Sequence, residues 1–191
     1  MSAKRAMAAT ASLLDEDHAA KVLAIWQELN DGFGLEAVSI SPDPHFSYQT
    51  SRSFDLEMLE RVVGDVATNA RPLKIQTAGL GIFSGERPTL YLPIVRTPEL
   101  TKLQLALWSA GAMATTEPSP EYHPARWVPH ITVAQGDVTS ELLPQVVSRL
   151  NRAELTWEME VDNLAIIRGR GDKPQEVLAR FPLRGGRARN F

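Results

Sequence analysis

A chain of 191 residues, 43% hydrophobic and 23% charged, with a net charge of −3 and no cysteine, has the composition of a globular protein of one domain or two small lobes. The missing cysteines exclude disulfides and thiolate metal sites, and the net acidity argues against broad nonspecific nucleic-acid binding while leaving room for a local basic pocket that takes an RNA end. No stretch is apolar for long enough to span a bilayer. Met1 to Thr10 runs into Asp15-Glu16-Asp17 rather than into an apolar core and cleavage site, so the expected location is the cytoplasm.

Residues 4–13 are mostly small or apolar and read as a first strand. Asp15 then has the chemistry of a helix N-cap, with Glu16 and Asp17 placed well at the positive end of the dipole. Val22, Leu23, Ile25, Trp26 and Leu29 follow helical spacing, and Gly32 and Gly34 stop the helix. His18, in the first turn, reads as a surface residue. A strand is expected within 36–50, where Pro42-Asp43-Pro44 suits an edge position. A helix over about 55–70 turns Leu56, Leu59, Val62, Val63 and Val66 inward, and Pro72 forbids its continuation. Residues 73–83 read as one strand, 84–88 as a turn and 90–95 as the returning strand. Thr97-Pro98-Glu99 is a helix start, with Leu100, Leu103, Leu107 and Trp108 as its buried stripe. After a Pro/Ser/Thr-rich break over 115–125, a strand spans about 127–135. A helix follows from Thr139 or Ser140, then a strand over 157–168, a glycine loop and a closing strand over 176–183.

Two of these strands carry the same local pattern. Pro44-His45-Phe46-Ser47-Tyr48 and Pro129-His130-Ile131-Thr132-Val133 each read as proline, histidine, apolar, hydroxyl, apolar or aromatic, and they use two of the four histidines in the chain. Side chains at i and i+2 on a strand share a face. His45 and Ser47 therefore point one way and Phe46 and Tyr48 the other; His130 and Thr132 divide from Ile131 and Val133 likewise. Imidazole titrates near neutrality, so a pair can serve as general acid and general base. Hydroxyls donate to anionic oxygens. Two imidazoles flanking a phosphate, each beside a hydroxyl, suit in-line displacement at phosphorus. The bland alternative is two histidines that cap strands.

The two motifs resemble those of the 2H phosphoesterases, the superfamily of bacterial 2'-5' RNA ligases and cyclic phosphodiesterases. Ser47 stands in place of the commoner threonine and Tyr48 in place of an aliphatic residue. The resemblance implies an α+β fold of two pseudo-symmetric lobes, each an antiparallel sheet with helices outside and a cleft between, and the element order repeats accordingly: Leu80 to Gly85 and Leu164 to Gly169 are both apolar strands running into a glycine turn. It implies one bilobal domain over 1–191, with a basic tail at about 184–191. It further implies hydrolysis of the 2',3'-cyclic phosphate of an RNA end or small nucleotide, with reversible 2'-5' ligation by the same site. His45 would protonate the leaving oxygen, His130 would take a proton from water, and Ser47 and Thr132 would hold the phosphate. No cofactor, metal, membrane or obligate protein partner is expected. The rival is a module that binds RNA or a nucleotide in the same cleft without turnover.

Other candidate substrate contacts are Arg126, which shares strand parity with His130 if the strand extends that far; Trp127 and Tyr122, as rings that stack on a base; and Arg168, in the turn after a late strand. Gln49 and Gln135 are expected to finish their strands, and the arginine-rich 184–189 to be a solvated terminus.

Overall fold

The computed structural model describes residues 5–36, 43–170 and 173–185. Nine strands and four α-helices alternate along them: β1 (Arg5–Leu13), α1 (Glu16–Phe33), β2 (His45–Asp55), α2 (Leu56–Asn69), β3 (Leu73–Gln76), β4 (Gly81–Phe83), β5 (Thr89–Pro93), α3 (Pro98–Gly111), β6 (His130–Ala134), α4 (Leu143–Leu150), β7 (Glu158–Val161), β8 (Asn163–Arg170) and β9 (Lys173–Pro182), with one 3-10 turn at Pro120–Tyr122 before β6. The helix starts follow side-chain chemistry. Asp15, Asp55 and Thr97 each accept a hydrogen bond from the main-chain N–H three residues on, and Pro98 occupies the first turn of α3, where its missing donor costs nothing. Gly34 ends α1 in the left-handed conformation at φ 69°, which no β-carbon opposes; Gly32, expected to share that role, lies inside the helix.

Seven strands form one antiparallel sheet in the order β4-β5-β6-β2-β1-β8-β9, and β3 pairs with β7 in a second. The order is nearly a palindrome about its centre. β6 and β2 are the two motif strands, β5 and β1 flank them, β4 and β8 come next, and only β9 lacks a counterpart. The two expected lobes are thus the halves of one continuous sheet, joined across β2 and β6 at a single register pair, Phe46 with Ile131. Phe46, Tyr48, Ile131 and Val133 are fully buried in a core built with α1, α2 and α3.

Several boundaries differ from the sequence reading, each for a local reason. β2 is central rather than at an edge: its ladder begins at His45, so Pro44 sits outside it and removes no ladder donor. It runs on to Asp55, so Gln49 is buried mid-strand instead of finishing it. The expected strand over 73–83 is two strands in different sheets, divided where Gly79 takes φ 76°. The strand over 157–168 is likewise split at Asp162, where the Asn163 side chain turns inward to bond both main-chain groups of Leu13. Trp108 and His18 are half-buried; the His18 ring is held by Asp15 rather than lying free on the surface. Of the basic tail, Arg184 and Gly185 donate main-chain bonds to Ala67 and Ala70 at the end of α2; the rest of it lies outside the described residues.

Candidate active site

The two motif strands lie side by side at the centre of the sheet. Extending the antiparallel register one residue either way from Phe46 and Ile131 sets His45 opposite Thr132 and Ser47 opposite His130. On an ideal ladder these four positions are the corners of a rectangle of about 5 by 7 Å, from the cross-strand spacing and twice the strand rise. The imidazoles lie on one diagonal and the hydroxyls on the other. All four line a cavity of about 300 Å³.

The rings are oriented in the same way on both strands. His45 Nδ1 bonds the main-chain oxygen of Asp43 at 2.8 Å, and His130 Nδ1 bonds that of Val128 at 2.7 Å. A carbonyl only accepts, so each Nδ1 carries a proton and, in the neutral ring, each Nε2 carries the lone pair. The prolines at 44 and 129 separate each histidine from the carbonyl it binds. Burial holds the His45 imidazole below its ordinary pKa, and the nearby His130 pushes it the same way; the bond to Asp43 opposes both. Burial lowers His130 as well, against its bond to Val128. The His130 ring also packs on Phe83 and Tyr91, with centroids 5.0 and 5.1 Å away.

Each motif strand contains a β-bulge one residue after its hydroxyl. Register with β1 passes from Ala11–Ser47 to Thr10–Gln49, leaving Tyr48 as the extra residue. Register with β5 passes from Tyr91–Thr132 to Leu90–Ala134, leaving Val133 as the extra residue. A bulge inverts the facing of everything beyond it. Thr50 and Gln135, five residues after their histidines, therefore line the cavity, while Gln49 and Ala134 point into the protein.

Two indoles brace the centre from opposite halves of the chain. Trp26 Nε1 donates to the Thr132 oxygen at 3.2 Å, and Trp127 Nε1 donates to the Ser47 oxygen at 2.9 Å. Trp127 is 2% exposed, stacks on Tyr48 and lies outside the cavity, so it is a packing residue and not a ring for a base. Tyr122 does line the cavity, together with Ser47. Arg126 does not reach the site. β6 begins at His130, so strand parity never extends back to residue 126, which is exposed in the turn before Pro129. Arg168 lies within β8 rather than in a turn and is paired with Glu176. Trp26, Thr50 and Gln135 are cavity residues that the sequence reading misses. Trp26 reads only as part of a helical stripe, and period-two counting passes over a bulge. Among the described residues, no group of three or more His, Asp or Glu side chains is placed to hold a metal ion, and no helix is long and apolar enough to cross a membrane.

The family model for the 2'-5' RNA ligase superfamily matches residues 15–173. A Bacillus cereus (strain B4264) protein named "Putative phosphoesterase" is 28% identical over 127 residues, covering 65% of this chain and 69% of its own length. A protein of the same printed name from Bacillus thuringiensis (strain Al Hakam) is 25% identical over the same span and shares. Among solved structures, TT0787 of Thermus thermophilus superposes with a TM-score of 0.63 at 16% identity, covering 95% of this chain and 99% of that one. E. coli LigT complexed with 3'-AMP gives 0.61 at 16% identity, with 94% and 99% covered. At such identities the two structures speak to the fold, an α+β architecture around an antiparallel sheet. The family match, which spans both motifs and the strands that carry them, makes this chain a member of the 2'-5' RNA ligase superfamily.

Proposed function

We infer that the protein is a metal-independent phosphoesterase that opens 2',3'-cyclic phosphates at RNA ends or on small nucleotides. The observation that carries this reading is the diagonal of two imidazoles, each fixed through Nδ1, in one cavity with a hydroxyl beside each. His130 Nε2 takes a proton from water as its oxygen bonds to phosphorus. One of the two ribose P–O bonds breaks on the opposite side, and the protonated His45 delivers its proton to the departing ribose oxygen. A phosphomonoester remains. Ser47 and Thr132 donate to the non-bridging oxygens. An entering phosphate anion favours the charged form of an imidazole that burial otherwise discourages, so substrate binding itself loads the acid. With the 5'-hydroxyl of a second RNA end in place of water, the same displacement, breaking the bond to the 3' oxygen, would give a 2'-5' linkage, and its reversal would cleave one. The named relatives add support for phosphoester chemistry.

The test is turnover of nucleoside 2',3'-cyclic phosphates by wild type, His45→Ala and His130→Ala, in excess EDTA. Each loss should cost about 100- to 10,000-fold in kcat. Wild-type-like turnover by either variant, or complete loss of wild-type activity in EDTA, would overturn the mechanism.

A further inference from the structure

The twofold symmetry of the sheet is broken where the substrate would extend beyond its phosphate. β1 and β5 are equivalent strands, and their registers equate Ala11, opposite Ser47, with Tyr91, opposite Thr132. Their outer neighbours are likewise Ala165 on β8 and Gly81 on β4. On the β5 side the concave face is filled. The Tyr91 ring lies where a β-carbon on Gly81 would be and stacks on Phe83 with centroids 4.1 Å apart. Both rings close on His130. On the β1 side no aromatic ring fills the same face, which carries apolar residues that are small at Ala9 and Gly169. Ala9 sits beside Thr50, Ile167 beside Ala9, and Gly169 beneath Met7, whose side chain fills the space a β-carbon there would need. The cavity follows this asymmetry. Met7, Ala9, Ile167 and Gly169 line it, and no residue of β4 or β5 does.

At the far end of that floor stands Gln175 on β9. It lines the cavity, and its side-chain oxygen is buried with no hydrogen-bond partner among the described residues. An orphaned buried acceptor is costly unless something donates to it. Every nucleobase has an N–H on its pairing edge and two flat apolar faces, which match an amide oxygen above a floor of alanine, isoleucine and methionine.

The geometry points to a nucleobase seat over β1, β8 and β9, with Gln175 as the residue that reads the base edge and Ala9 as the residue whose small size opens the floor. This rests on the cyclic-phosphodiesterase reading and goes beyond it: the substrate binds in one direction, nucleoside toward β9, because Tyr91 and Phe83 close the other. A bare sugar cyclic phosphate would reach the imidazoles but leave the seat empty.

The experiment compares kcat/KM for the four nucleoside 2',3'-cyclic phosphates with that for methyl riboside 2',3'-cyclic phosphate, which has no base. Wild type should favour the nucleosides by roughly tenfold or more, within the range for base contacts. Ala9→Leu, which fills the floor, should cost the nucleosides at least about tenfold more than it costs the base-free substrate. Gln175→Ala should cost the nucleosides at least several-fold more than it costs the base-free substrate, because it removes the acceptor for the base N–H; if Ala9→Leu does not fold, this variant carries the test. Equal turnover of base-free and base-bearing substrates by wild type overturns the seat, and so do equal losses on both classes in the variants. If wild type turns over none of the five, the phosphodiesterase reading fails instead. The seat is then judged by equilibrium binding of 3'-nucleotides against ribose phosphate with the same variants, and indifference to the base overturns it.

Discussion

The Trp26 indole N–H and the Thr132 carbonyl oxygen, 106 residues apart in sequence, are 3.2 Å apart in the fold. Trp127 makes the reciprocal bond to Ser47. Each half of the chain thus holds the backbone of the hydroxyl residue in the other half's motif. Trp26→Phe keeps most of the ring and removes the donor. It should lower stability by about 1–2 kcal/mol, read as a shift in urea midpoint, and lower kcat because Thr132 loses its brace. An unchanged midpoint would show that this bond does not contribute.

The pH dependence of kcat/KM follows from the two imidazoles. The base must be neutral and the acid protonated in the free enzyme, which gives a bell. Burial lowers both pKa values, and His130 lowers His45 further. The maximum should therefore fall on the acid side of about 6.5, the ordinary histidine value. Because the rings interact, the two limbs belong to the pair rather than to single residues. A maximum well above 7 would contradict the burial argument.

Stability has the opposite leaning. Both rings have folded pKa values below the unfolded one, so between those values the unfolded chain binds more protons than the folded chain. Their contribution is complete above about 6.5 and is lost as pH falls through the window beneath it. Replacing both histidines by glutamine should flatten that part of the stability curve in denaturant titrations; an unaltered slope would assign acid sensitivity to other groups.

The hydroxyls and the outlying arginine make a contrasting pair. On the proposed reading, Ser47→Ala and Thr132→Val each remove a donor to a charged oxygen, worth about 1.5–3 kcal/mol, or about 10- to 150-fold in kcat/KM. Arg126→Ala should stay within about twofold of wild type, as surface changes do. A large loss in the arginine variant would return it to the site.

Much of this was legible in the residues. The motif strands, the inward Phe46 and Ile131, the capped helix starts at Asp15 and Thr97, the helix start near Asp55 and the repeating element order all follow from local chemistry. The equivalence of the segments beginning at Leu80 and Leu164 survives as the matching places of β4 and β8 in the sheet. What was not legible depended on long-range partners. Nothing local says that Thr77 leaves one sheet for a bridge to Ile94, that Pro44 stops just short of a central ladder, or that Arg168 finds Glu176. Arg126 failed because parity was carried through a turn that ends the strand.

The paired bulges have a practical consequence for anyone redesigning this protein. Counting by twos from either histidine leads a mutagenesis library to Gln49 and Ala134, which are sealed inside and would yield mostly unfolded clones. The positions that can retune selectivity while sparing the interior are the next ones along, Thr50 and Gln135. A one-residue offset, invisible to any alternating pattern, separates a screen for new substrates from a screen for broken proteins.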